Sequence, residues 1–129
     1  MCGDVLGWRV VGRAEEDIVR RYPRGLTEFR LKRDGLAYYT DCTEMTLALL
    51  CCLLDERSLS AENATRWYCC MFHRERGYHG TAVALIEGLR TGRFSYNESG
   101  RAQFPDGSHG NRGATRIAPV GFVYRHCNS

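Results

Sequence analysis

Tyr39-Thr40-Asp41-Cys42-Thr43-Glu44-Met45-Thr46-Leu47-Ala48-Leu49-Leu50-Cys51-Cys52-Leu53-Leu54 is the stretch on which the fold turns. Thr40 or Asp41 supplies an oxygen that can cap the first turn of a helix, and Glu44 stands three residues after Asp41 as a capping-box acid. Met45 to Leu54 is then apolar almost all round, the pattern of a helix buried on every face. The run is too short to span a bilayer.

Outward from this helix the punctuation is that of short helices joined by loops. Ala14 to Tyr22 carries Ile18, Val19 and Tyr22 at helical spacing and stops at Pro23. Arg24 to Tyr39 reads as an irregular connection. A helix from Ala61 to His73 has Ser60 as its N-cap and a stripe of Ala64, Trp67, Tyr68 and Met71. Another, Thr81 to Arg90, aligns Ala82, Leu85, Ile86 and Leu89 and ends near Gly92. Gly92, Gly100, Gly107, Gly110 and Gly113, with Pro105, leave no room for a regular element between 92 and 113. A last helix starts near Ile117-Ala118-Pro119, where proline is tolerated in the first turn. No run of alternating strands exists, so the predicted class is all-α, a compact helical domain spanning residues 1–129.

Composition narrows the function. The chain has 129 residues, 43% of them hydrophobic, enough for one core. Lysine and arginine number 18 against 15 acids, for a net charge of +3. Lys32 is the sole lysine, and the arginines are scattered with no basic block or aromatic platform, which argues against nucleic acid. Asp4 and Arg9 interrupt the first apolar residues, so no secretory leader and a cytoplasmic location are expected. Seven cysteines without a Cys-x-x-Cys spacing point to free thiols used as small hydrophobes, not to zinc or a disulfide framework.

Two segments are candidates for chemistry. Thr40 and Asp41 put a hydroxyl and a carboxylate at the start of the central helix, where they serve either as a cap or as hard oxygen ligands for Mg2+. Gly107-Ser108-His109-Gly110-Asn111-Arg112-Gly113 is either a surface turn with glycines at positive φ or a loop whose N–H groups face an anion such as a diphosphate.

Together with Gly3-Asp4-Val5-Leu6-Gly7, Gly25-Leu26-Thr27-Glu28-Phe29, Arg76-Gly77-Tyr78 and Ala114-Thr115-Arg116-Ile117-Ala118-Pro119, these segments resemble the ADP-ribosylglycohydrolase (ADP-ribosyl-acceptor hydrolase) family, in the family's order. The resemblance implies an all-α fold whose cleft holds ADP-ribose and two Mg2+ ions. The implied activity is hydrolysis of the glycosidic bond between ADP-ribose and an acceptor, either an ADP-ribosylated protein or poly(ADP-ribose). It implies metal binding by Thr40, Asp41 and the Cys42 position, with Asp41 catalytic. Gly107, Ser108, His109, Gly110, Asn111, Arg112 and Gly113 would bind the substrate.

The likeness is to the N-terminal half of the family. The Asp-x-Asp-Thr cluster of the other half has no counterpart in these residues, so a catalytically inactive ADP-ribose-binding or structural protein is the alternative. Cys42 stands where the family carries aspartate, and a soft sulfur suits Mg2+ poorly. Val11 replaces a glutamate and Thr115 a methionine. Arg112 replaces a glycine, where strain is expected.

Overall fold

The computed structural model describes residues 1–57, 59–108 and 110–126. Eight α-helices and two 3-10 turns account for the regular structure of these residues, and no strand occurs among them. The all-α class is correct.

The chain divides into two compact units, Met1–Thr40 and Asp41–Ser129. The first holds α1 (Cys2–Gly7), a 3-10 turn (Trp8–Val10) and α2 (Glu15–Arg21). Residues 22–40 are irregular, as the glycines predicted, and are held by polar contacts. Arg9 donates from Nη1 to the Glu28 carbonyl (3.2 Å) and lays its guanidinium 5.1 Å from the Tyr22 ring centroid. The Asp34 side chain accepts from the Leu36 N–H at 2.9 Å and from the Tyr38 hydroxyl, and these two bonds lower its pKa.

The second unit is built on α3 (Asp41–Glu56), which packs against α4 (Ala61–Met71), α7 (Arg112–Arg116) and α8 (Ala118–Val123). It is the most buried element, with Ala48, Leu49, Cys52 and Leu53 in the core and Asp41, Thr43 and Glu44 buried beside them. Its burial is nevertheless one-sided: Leu54 is 70% exposed, so the expectation of burial on every face is corrected. Ser60 caps α4 by accepting from the Asn63 N–H at 3.1 Å, as predicted. At the other end, Arg90 donates to the Cys69 carbonyl, which satisfies an acceptor that the helix itself leaves open. α5 (Gly80–Arg90) brings Val83 and Ile86 onto Phe72, with Cys69 and Tyr78 packed around them. The Phe72 and Tyr78 rings meet edge to face, with centroids 4.8 Å apart.

Two predicted boundaries change. The interval from Gly92 to Gly113 contains α6 (Tyr96–Ser99), one turn made possible by a reciprocal capping box between Ser95 and Glu98. The last helix is preceded by α7, and the two are separated at Ile117. Pro119 lies in the first turn of α8, as anticipated.

Candidate functional site

Thr40, Asp41 and Cys42 follow one another in sequence but have different surroundings. In the first unit, Thr40 donates from its backbone N–H (2.8 Å) and its hydroxyl (2.6 Å) to the two carboxylate oxygens of Asp4. Asp4, in the middle of α1, thereby fixes the end of the irregular segment. In the second unit, Asp41 is the first residue of α3 and is nine-tenths buried. Its Oδ2 accepts from the Arg112 guanidinium, 71 residues further along the chain. Asp41 therefore lies inside the first turn with its carboxylate engaged elsewhere, and the reading of it as a cap is corrected. Glu44 likewise reaches across to residues 73–78, so the capping-box reading of Glu44 is corrected too.

That Glu44 carboxylate is the most buried acid among the described residues, 1% exposed. Its Oε1 accepts from the His73 N–H at 2.8 Å and from the Tyr78 hydroxyl at 3.1 Å, and its Oε2 lies 2.9 Å from His73 Nδ1. Arg76 Nε is 3.7 Å from the same oxygen. A carboxylate so enclosed is tolerable only because it is met on every side by donors or positive charge. Glu44 raises the His73 pKa by hydrogen bonding and by charge. Burial pushes the Tyr78 phenol up, and Glu44 pushes it further. The sharp turn that presents Tyr78 depends on Gly77, whose φ of 82° lies in the left-handed region.

The glycine-rich segment lines a cleft of about 530 Å3. Ser108, Gly110, Asn111, Arg112, Gly113 and Arg116 line it, together with His79 and Thr81. No acidic residue is among the described residues that line it. His109 lies outside the described residues. Gly107, at φ 92°, is the one glycine of the segment in the left-handed region. Gly110 closes a small turn by donating its N–H to Ser108 Oγ at 3.2 Å, and a Cβ on Gly113 would meet nothing. Arg112 has helical backbone geometry, so the expected strain at this non-glycine position does not arise. Arg116 is held by its own helix and by α3: Nε donates to the Arg112 carbonyl at 2.7 Å, and Nη1 lies 3.1 Å from Met45 Sδ.

A family model for ADP-ribosylglycohydrolase matches residues 1–129. The chain belongs to the ADP-ribosylglycohydrolase family. Members of this family of hydrolases act on ADP-ribosyl glycosidic bonds, and the helical architecture above is that of the family. No solved structure matches the chain.

The two Mg2+ ions that the resemblance implies would find a poor donor set in this chain. The Asp41 carboxylate already carries a guanidinium, and Cys42 offers sulfur where Mg2+ requires oxygen. Among the described residues, no three His, Cys, Asp or Glu side chains converge into a metal cage.

Sequence reading picked out Asp41 and the cleft wall. It gave no role to Asp4, His73 or Tyr78, although Gly3-Asp4 and Arg76-Gly77-Tyr78 are both segments that carry the family likeness. Six described cysteines are free thiols, as expected, but Cys2 and Cys70 are exposed rather than packed in a core. Cys127 lies outside the described residues.

Proposed function

We propose that the chain is the ADP-ribose-recognising part of a hydrolase acting on the glycosidic bond between ADP-ribose and an acceptor, and that its own residues bind the ADP-ribosyl group more effectively than they turn it over. The observation that carries this reading is the cleft along Ser108–Gly113. It has the volume of a small-molecule site, a wall of small residues that lets backbone approach a ligand, and the guanidinium groups of Arg112 and Arg116, the first of them also held by the buried Asp41, with no acid among the described residues that line it. A diphosphate is the part of ADP-ribose that such a wall suits, because guanidinium groups form paired hydrogen bonds with phosphate oxygens. Asn111 adds an amide able to donate to or accept from a ribose hydroxyl.

The same geometry weighs against efficient hydrolysis by these residues. Cleaving an N- or O-glycosidic bond needs a held water and stabilisation of the charge developing at the anomeric carbon. The resemblance makes Asp41 the catalytic carboxylate, and in this reading its task is to hold Arg112. The target is an ADP-ribosylated protein or poly(ADP-ribose) presenting its terminal ADP-ribose.

Calorimetric titration with ADP-ribose, run beside an assay for ADP-ribose release from a modified protein, tests the proposal. Saturable binding that weakens in Asn111→Ala, with little or no release, is the expected pair of results. Absence of binding, or rapid release by the unaltered chain, would overturn it.

A further inference from the structure

Arg112 and Asp41 form an ion pair that neither residue's neighbourhood in the sequence announces. Asp41 has a side chain 7% exposed, at the start of the longest helix. Arg112 opens α7 and lines the cleft with its side chain 41% exposed. The contact thus joins a buried carboxylate to a wall that faces solvent.

A carboxylate this buried requires a positive partner, and two kinds are chemically available. One is a divalent metal ion. The other is a side-chain cation, and guanidinium is the most persistent of these, since it carries five N–H donors, has no acceptor and keeps its proton at every physiological pH. The two compete at a single oxygen. A metal ion needs the lone pairs to which the guanidinium donates, and it would stand against a fixed positive charge at contact distance. The other groups nearby do not restore the balance towards a metal: the next residue is Cys42, and no acidic side chain lines the cleft among the described residues.

We infer that Arg112 is a resident organic cation that takes the place of a divalent metal at Asp41, so that this chain neutralises the carboxylate from within and an anion entering the cleft meets a guanidinium without needing Mg2+. The inference goes beyond the proposed function and rests only on the Asp41–Arg112 geometry. It stands if ADP-ribose fails to bind, and ADP-ribose binding does not establish it.

The experiment is a titration of the whole chain with Mn2+, followed by loss of the free-ion electron paramagnetic resonance signal, and a thermal melt with and without Mg2+. The unaltered protein should retain no Mn2+ at micromolar concentrations, and its melting temperature should not move with millimolar Mg2+. Arg112→Gly should bind Mn2+ at least about tenfold more tightly than the unaltered protein, a change of the size that ligand-sphere substitutions produce, and should melt higher in Mg2+. Arg112→Gln, which keeps a hydrogen-bond donor for Asp41 but removes the charge, gives the same readout if the glycine variant does not fold. Arg112→Lys should stay metal-insensitive. Adding Asp41→Asn to the variant that gains Mn2+ binding should abolish the gain. Tight Mn2+ binding by the unaltered protein, no gain in either neutral variant, or a gain that survives Asp41→Asn would each overturn the inference.

Discussion

Glu44 and His73 are joined twice, once through the His73 backbone N–H and once through its Nδ1, so a single carboxylate holds both the main chain and the ring of a residue 29 positions away. This fastens the segment after α4 to the first turn of α3. The Tyr78 hydroxyl adds a third bond to the same carboxylate.

Removing that carboxylate should be costly. Glu44→Ala removes the buried acceptor shared by His73 and Tyr78, and a loss of about 3 kcal/mol is expected from hydrogen bonds to a buried charged group. Glu44→Gln keeps the shape and one acceptor oxygen and should cost less. Urea unfolding of the three proteins checks the order. Equal stability of Glu44→Ala and the unaltered chain would mean that the segment is held by packing alone.

The same pair gives stability a definite pH dependence. Glu44 raises the His73 pKa above its ordinary value of 6.5, so the folded state binds the imidazole proton more tightly than the unfolded state does. The contribution is present in full below the unfolded value and is lost as pH rises through the raised folded value. Arg76 faces the same carboxylate, while Glu75 supports the His73 charge. Melting temperatures from mildly acidic to mildly alkaline pH should fall more steeply for the unaltered chain than for His73→Gln. Parallel curves would assign the dependence to other groups.

Local chemistry made much of the fold legible. α4 and α5 announce themselves by apolar stripes, and Ser60 marks where α4 starts because a hydroxyl two or three residues before free N–H groups has one obvious use. Ser95-Tyr96-Asn97-Glu98 has the spacing of the capping box that starts α6, a signal set among glycines that by themselves favour no regular element. α1 gave no such signal: its six residues include Gly3 and Gly7 and form no stripe. The site was legible only in its parts. Asp41 and the glycine-rich segment stood out singly, while the ion pair joining Asp41 to Arg112 spans 71 residues and has no periodicity to betray it. Glu44 misled for a related reason. A glutamate in a first turn has both a local and a distant use, and the sequence shows only the local one.

Exposed apolar side chains predict association. Leu54 and Phe122 are each 70% exposed, and Ile117 and Val123 are more than half exposed. Surface of this kind recruits hydrophobic dyes or another protein face. The 129-residue chain should enhance the fluorescence of an anilinonaphthalene dye and sediment with concentration-dependent mass. Phe122→Ser should reduce both effects while leaving the helical circular-dichroism signal in place. A dye-silent monomer at high concentration would contradict this.

The cysteines should separate by reactivity. Attack on a disulfide reagent requires the thiolate and an open path to it, so both burial and pKa set the rate. Cys52 is fully buried, and desolvation raises its pKa. Cys69 is half-buried in the Phe72 cluster, and burial raises its thiol as well. Cys2 and Cys70 are exposed. In the folded protein, a short pulse of a thiol-reactive label followed by peptide mass spectrometry should therefore find Cys2 and Cys70 modified first. Cys69 should follow, and Cys52 only on the timescale of unfolding. Adding urea should collapse the order to a single fast phase, because all these thiols then see water. The comparison between neighbours is the sharpest: Cys69 and Cys70 are adjacent in sequence, so a difference in their rates reports the face of α4 each occupies. Equal rates for that pair in the folded protein would mean that α4 does not bury Cys69 against Phe72.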